Sequence, residues 1–311
     1  MKIPHFLIIF VKGMAMGAAD VVPGVSGGTV AFITGIYDQL LNSIKALNPK
    51  NAMLLFSQGP KAFWQAINGN FLAALLAGII TSFLSLAHLI TWLMKEHPLL
   101  LWSFFFGLVA ASAVYIAKEL SYKSLANWIM LLLGFSIAFW ITSSQPAQVE
   151  VTNLKIFFAG AIAICAMILP GISGSFILLL LGMYSVILSA VKSFDVTVIA
   201  IFILGCATGL LSFVHLLSWL FKRFRAATIA LLTGFLLGSL NALWPWKHVL
   251  TYYTSSKGVL KPLSQQNVLP QQFFEFTQQD PLLMGCIVLA LLGMLLVLAL
   301  ELVSRSEGQD G

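Results

Sequence analysis

Two short stretches of similar sequence decide the fold. Residues 17–29 read Gly-Ala-Ala-Asp-Val-Val-Pro-Gly-Val-Ser-Gly-Gly-Thr, and residues 170–175 read Pro-Gly-Ile-Ser-Gly-Ser. Each stretch interrupts an apolar region whose two arms are too short to cross the ~30 Å hydrocarbon core of a bilayer. Proline and glycine end the incoming helix. The sequence therefore predicts re-entrant hairpins over residues 6–41 and 156–191, each with a helix in, an irregular tip and a helix out.

The two hairpins are copies of one unit. Residues 23–41 and 170–188 align without gaps and share seven identities in 19 positions. A second block, residues 78–95 against residues 205–222, shares nine identities in 18. The matches include proline, histidine, tryptophan and serine as well as leucine, which argues against chance similarity between apolar helices. The sequence therefore contains an internal repeat.

Six further stretches have close to the ~20 apolar residues that a membrane span needs. They are residues 71–94, 99–117, 125–143, 196–221, 226–244 and 282–303. Each copy thus holds one hairpin and three spans, and because three is odd, the copies lie in the membrane with opposite orientations. The prediction is an all-α polytopic membrane protein with two inverted-topology repeats, residues 1–143 and 154–303.

The composition agrees with a membrane protein. Of the 311 residues, 59% are hydrophobic and 9% are charged, whereas soluble domains average about 45–50% and about 25%. This excludes an ordinary soluble enzyme and a disordered chain. The formal net charge is +6, but the basic residues are scattered between apolar segments, which argues against a nucleic-acid partner. The three cysteines lie in apolar stretches without metal-ligand spacing, so no metal and no cofactor is expected.

Lysine and arginine set the predicted orientation. With the amino terminus inside, the inside loops hold ten of these residues and the outside loops hold six, as the positive-inside rule requires. Both termini are then cytoplasmic, and residues 245–281 form the largest external loop. Residues 48–70, which have no counterpart in the second copy, are expected to form a loop with a short interfacial helix.

The hairpin tips carry the candidate binding groups. Glycine lets backbone N–H groups approach a ligand, serine and threonine add hydroxyl donors, and a helix amino terminus attracts anions. Two such tips that enter from opposite faces suit a phosphate. The alternative is that they are packing kinks whose hydroxyls cap their own helices. The candidate phosphate-binding residues are Gly24, Ser26, Gly27, Gly28, Thr29, Gly171, Ser173, Gly174 and Ser175.

Four ionisable residues are further candidates for a coupling or headgroup path. Asp20 lies just before the first tip, and an intramembrane carboxylate suggests function by default. Lys12 lies about two helical turns earlier and could pair with Asp20, although both could instead reach the cytoplasmic interface. His88 and His215 are equivalent in the repeat and have polar neighbours at helical spacing, so a proton relay and a structural role both stay open.

The tip sequences strongly resemble the bacterial polyprenyl-phosphate transporter family (PopT type), formerly a membrane domain of unknown function. The resemblance covers nearly the whole chain. It implies a non-enzymatic translocase that returns undecaprenyl phosphate from the outer to the inner leaflet of the bacterial cytoplasmic membrane. The partners that it implies are this lipid and the surrounding membrane lipids. Coupling to a proton or sodium gradient by alternating access is a further expectation, and the oligomeric state stays open.

Other functions fit parts of the pattern. Half-helix amino termini in inverted repeats also suit an anion channel or exchanger. Gly-Val-Ser-Gly at residues 24–27, with a histidine on another span, resembles the nucleophile motif of intramembrane serine hydrolases. A Ser–His dyad needs one asymmetric site, however, and here serine and histidine are both duplicated. A scaffold or insertase role is the remaining alternative.

Overall fold

The computed structural model describes residues 5–22, 25–118, 120, 124–146, 150–254 and 260–309. The elements up to residue 143 are α1 (His5–Val21), α2 (Gly27–Ile33), α3 (Tyr37–Lys45), α4 (Pro49–Ser57), α5 (Pro60–Ala66), α6 (Gly69–Glu96), α7 (Pro98–Ala117) and α8 (Leu125–Ser143). Those after it are α9 (Asn153–Ile168), α10 (Gly174–Leu180), α11 (Tyr184–Ser193), α12 (Val196–Arg223), α13 (Arg225–Leu243), β1 (Lys247–Thr254), β2 (Leu260–Asn267), α14 (Pro270–Thr277) and α15 (Leu283–Gln309).

The predicted fold class is confirmed: the chain is a mainly helical, multi-pass membrane protein. Among the residues that the structure describes, five helices are long and apolar enough to cross a membrane: α6, α7, α8, α12 and α13. Their bounds lie within about two residues of the predicted spans. The sixth predicted span, residues 282–303, overlaps α15, but the apolar part of this helix, Leu283–Ala299, is shorter than the five helices above. The insertion at residues 48–70 contains two short helices, α4 and α5, where one was expected.

The outgoing arms of the hairpins differ from the prediction. Each was expected to be one helix, but each is broken a second time, into α2 and α3 in the first copy and α10 and α11 in the second. Gly35 and Gly182 stand at the breaks with φ of 72° and 68°, a left-handed conformation that glycine adopts without strain. Helices α10 and α11 meet at 107°. The repeated glycine was visible in the alignment as a shared residue.

Four pairs of helices form the framework: α1 with α6, α9 with α12, α8 with α13, and α7 with α15. In each pair, glycines let the two backbones approach closely. A Cβ atom added at any of them would lie only 2.0–2.5 Å from a carbonyl oxygen of the partner helix. These glycines are Gly13 and Gly78, Gly160 and Gly205, Gly134 and Gly234, and Gly107 and Gly293. Small residues take this role in membranes, where packing contacts drive helix association.

The last predicted span of each half packs against a helix of the other half. Helix α8 packs along α13, and α15 packs along α7, while α7 and α13 contact each other at the centre. Contacts between this central group and the pairs α1–α6 and α9–α12 are much sparser. The hairpins are therefore attached to two tightly packed pairs that flank a common four-helix centre.

The predicted loop at residues 245–281 contains an unpredicted antiparallel pair of strands, β1 and β2. Strand β1 is rich in β-branched and aromatic residues, which favour strands. The Lys247 ammonium anchors the strands to the bundle, because it donates to the Ala242 carbonyl near the end of α13 and lies 5.1 Å from the Trp102 ring centroid. Burial lowers the pKa of Lys247 to about 8.

We expect Gly234→Ala to destabilise the fold although alanine favours helices. Its Cβ would lie 2.1 Å from the Leu131 carbonyl oxygen, and such overpacking costs about 1–3 kcal/mol. The measurement is thermal unfolding in detergent. Gly285→Ala is the control, because its Cβ would meet only the flexible end of Leu100, at 2.9 Å. Equal melting temperatures for the two variants would contradict the glycine-dependent packing.

The lowered pKa of Lys247 predicts that the stability of the fold depends on pH. Between about pH 8 and the ordinary value of 10.5, the unfolded chain holds the Lys247 proton and the folded chain does not, so stability rises with pH in this window. Below pH 8 the unfavourable burial of the charge is fully present. Relative to Lys247→Met, the wild type should gain on the order of 1–3 kcal/mol from pH 7.5 to 10.5. The control is Lys95→Met, at an exposed lysine, and parallel pH profiles for wild type and Lys247→Met would refute the assignment.

Candidate functional site

The two hairpin tips meet in the structure. The Ser26 hydroxyl lies 3.1 Å from the Met167 carbonyl oxygen and 3.3 Å from that of Leu169, at the end of α9. The Thr29 hydroxyl accepts a hydrogen bond from the Gly171 amide at 2.8 Å. Ser26 and Thr29 are almost fully buried. The hydroxyls of the first tip therefore satisfy backbone groups that the broken helix leaves open in the second.

A tyrosine that the sequence did not single out completes this contact. The Tyr37 hydroxyl donates to the Ile168 carbonyl at 3.1 Å, and its ring contacts Phe32 and Phe221. Together with Ser26, it satisfies the carbonyl end of α9. The available signal was its identity with Tyr184 in the repeat alignment.

Asp20 and Lys12 bind opposite ends of α2. One Asp20 carboxylate oxygen accepts from the Gly27 amide at 2.6 Å, at the amino terminus of this helix. The Lys12 ammonium donates to the Thr34 carbonyl at 2.9 Å, just beyond its carboxyl terminus. Both side chains come from α1. Their charges complement the helix dipole, since acids are favoured at amino termini and bases at carboxyl termini.

The glycines of the first tip provide room for these contacts. A Cβ at Gly27 would lie 2.5 Å from the Asp20 carboxylate, and one at Gly28 would lie 2.5 Å from the Ile168 carbonyl oxygen. The Gly28 amide donates to the Ser26 hydroxyl at 3.1 Å, so Ser26 also caps α2. In this structure the polar groups of the first tip are thus bound largely by the protein itself.

The second tip is arranged differently. Ser173 precedes α10 but its side chain makes no capping hydrogen bond; its hydroxyl lies 2.9 Å from that of Ser175. Gly171 has a φ of 88°, and a Cβ there would lie 2.7 Å from the Ser239 hydroxyl on α13. Gly174 lies close to the Ala163 carbonyl. The residue equivalent to Asp20 is Met167, so this tip has no built-in carboxylate at that position.

The two histidines are not part of the tip contact. Both are exposed on their helices, and His215 Nδ1 lies 2.7 Å from the Leu211 carbonyl of its own helix. In the ranges described, no hydrogen bond joins a serine of either tip to a histidine, so the geometry gives no support to a Ser–His hydrolase. Within the same ranges, no cluster of three or more histidine, cysteine or acidic side chains suits a metal ion.

The structure therefore brings part of the predicted site together. Of the candidate phosphate-binding residues, Gly24 lies outside the described residues. The first tip contacts the second through Ser26, Gly28 and Thr29. Asp20 and Lys12 are attached to α2 through separate hydrogen bonds. Tyr37 is the contact residue that the sequence analysis missed.

Comparison with known proteins gives consistent matches. The family described as undecaprenyl phosphate translocase-like matches residues 16–261. A polyprenyl-phosphate transporter of Vibrio cholerae is 49% identical over 300 residues, covering 96% of this chain and 97% of that protein. A protein of the same name from Staphylococcus aureus is 31% identical over 256 residues, covering 76% and 86%. No solved structure shows significant similarity to the chain.

Proposed function

The chain belongs to the undecaprenyl phosphate translocase-like family, and we propose that it moves undecaprenyl phosphate from the outer to the inner leaflet of the bacterial cytoplasmic membrane. Its relatives are named transporters rather than enzymes, and the chain itself is a lipid-carrier transporter and not an enzyme. The substrate, the direction and the site are our proposal. In the cell this activity would recycle the carrier lipid for peptidoglycan and other envelope polymers.

The meeting of the two polar tips is the observation that carries this proposal. The substrate is an anion on a very long apolar chain. Irregular backbone with buried hydroxyls and amides is tolerated at membrane depth only inside protein or beside a cavity. Such a site would hold the phosphate with hydroxyls and backbone amides, while the polyprenyl chain stays in the surrounding lipid.

We assign the larger share of phosphate binding to the second tip. The Gly27 amide is already bound by the Asp20 carboxylate, and Ser26 and Thr29 are bound to the opposite hairpin. The Ser173 and Ser175 hydroxyls bind each other, and a phosphate oxygen could replace that contact. Gly171 and Gly174 would supply the close backbone approach.

Transport would proceed by alternating access. The inverted repeats would expose the tips first to one face of the membrane and then to the other. The sparse contacts between the hairpin-bearing pairs and the central helices support such a movement. We place both termini in the cytoplasm from the lysine and arginine count. The first hairpin then enters from the cytoplasmic side and the second from outside.

Asp20 is our candidate for ion coupling, with His88, His215 and Lys12 as further members of the path. Its carboxylate holds the amino terminus of α2, the helix whose hydroxyls bind the second tip. Protonation, or binding of a sodium ion, would weaken the Asp20–Gly27 contact. The ion gradient would then act directly on the contact between the tips.

The phosphate site predicts an effect of removing its hydroxyls. We expect Ser173→Ala with Ser175→Ala to slow leaflet exchange of labelled undecaprenyl phosphate in liposomes about 5- to 30-fold, since each lost hydrogen bond is worth about 1 kcal/mol. Ser193→Ala is the control, because this hydroxyl bonds only to its own helix. If the double variant exchanged the lipid at the wild-type rate, the second tip would not be part of the phosphate site. No exchange by folded wild-type protein, or equal flux of small anions, would overturn the proposed function.

The coupling role predicts a loss of gradient dependence on removing the charge. Asp20→Asn keeps an oxygen that can accept from the Gly27 amide but cannot gain or lose a proton. We expect exchange by this variant to respond no more than about twofold to an imposed proton or sodium gradient. The same liposomes with wild-type protein provide the reference. A variant that responds as the wild type does would exclude Asp20 as the coupling group.

A further inference from the structure

Identical residues of the two hairpins have opposite environments. Tyr37 is 2% exposed and its repeat equivalent Tyr184 is 36% exposed. Leu41 is 2% exposed and its equivalent Leu188 is 39% exposed. The residue type is the same within each pair, so the difference in exposure comes from the way in which α3 and α11 pack against other helices. Helix α3 is therefore packed against the opposite half, whereas the equivalent face of α11 is more exposed.

Two hydrogen bonds attach α3 to the second half of the chain. The Tyr37 hydroxyl donates to the Ile168 carbonyl, and the Lys45 ammonium donates to the Ser218 hydroxyl at 3.3 Å. Ser218 is only 5% exposed, although it belongs to the otherwise exposed polar face of α12 that includes His215. We call these two hydrogen bonds the α3 gate.

The repeat alignment places a matching set of groups on the other side. The hairpin offset of 147 residues equates Lys45 with Lys192, and the span offset of 127 equates Ser218 with Thr91. The Tyr37 contact with the Ile168 carbonyl corresponds to Tyr184 with the Val21 carbonyl. Lysine, a hydroxyl residue and tyrosine thus recur at the required positions. Thr91 is exposed on α6.

We propose that the chain has a second state in which these contacts are exchanged: Lys192 binds the Thr91 hydroxyl, Tyr184 binds the Val21 carbonyl, and the α3 gate opens. We call the second set the α11 gate. This deepens the proposed function, because it names the side chains that close each face of the transporter in turn. It rests on alternating access and not on the identity of the lipid.

The two gates are not equally strong. The α3 side also has an ion pair between Asp38 and Arg225 at 3.5 Å. Their repeat equivalents are Ser185 and Pro98, which cannot form one. The α3 gate thus has an attraction that the α11 gate lacks, and this exposed ion pair weakly favours the state seen in the structure.

The test uses paired cysteines in full-length protein whose three native cysteines are replaced by alanine. Lys45→Cys with Ser218→Cys reports the α3 gate, and Lys192→Cys with Thr91→Cys reports the α11 gate. A short bifunctional methanethiosulfonate in liposomes should link both pairs, and each link should abolish the other and stop lipid exchange. The control pairs one position from each gate: Lys192→Cys with Ser218→Cys should not link. Lys192 lies just before α12, and Ser218 lies 22 residues beyond Val196, where α12 begins, or about 33 Å along the helix.

Adding Asp38→Asn should shift the balance between gates. Loss of an exposed ion pair should raise the yield of the Lys192–Thr91 link up to about fivefold and lower the Lys45–Ser218 yield. Absence of the Lys192–Thr91 link while exchange continues would overturn the proposal, as would absence of the Lys45–Ser218 link in folded protein. Mutually exclusive links without movement of undecaprenyl phosphate would support the gates and overturn the substrate assignment instead.

Discussion

Close approach of helix backbones at glycine is the constraint on which the rest of the structure depends. In lipid there is no hydrophobic gain in bringing two apolar helices together, so contact must come from packing. The four helix pairs achieve it with glycines placed against carbonyl groups of their partners. Gly13 and Gly78 recur in the repeat as Gly160 and Gly205. The two hairpins therefore begin in helix pairs that are packed in the same way, and their tips contact each other.

Backbone polarity at the tips is balanced by a small number of side chains. The broken end of α9 receives hydroxyls from Ser26 and Tyr37, and α2 lies between Asp20 and Lys12. The first hairpin thus carries its own charges and uses its hydroxyls in contacts with the second. The second hairpin has neither charge, because Ala159 and Met167 stand at these positions. The duplicated motif therefore has two different environments: the first tip binds other parts of the protein, and the second tip is the one that we propose as the anion site.

Apolar length and helix-breaking residues act locally, so they indicated from the sequence where helices begin and end. Five of the six predicted stretches lie within about two residues of long apolar helices, and the two tips contact each other. The second break of each hairpin was missed, although Gly35 and Gly182 were visible, since a lone glycine in a helix is often tolerated. The different burial of Tyr37 and Tyr184 could not be predicted, because identical residues give no sequence signal of which side is closed. Likewise, the attachment of Lys247 to Trp102 depends on tertiary contact between a strand and a distant helix.

The packing of the last spans against the opposite halves has a consequence for synthesis of the protein. Helix α8 can pack against α13 only after α13 has been synthesised, and α7 can pack against α15 only after α15 has been synthesised. The first half therefore leaves the ribosome with the glycine faces of α7 and α8 uncovered. The central group can therefore form completely only after the last span is inserted, and a chain that ended before α15 would leave the packing face of α7 uncovered. Neither half has all of its helix contacts until the whole chain has been made.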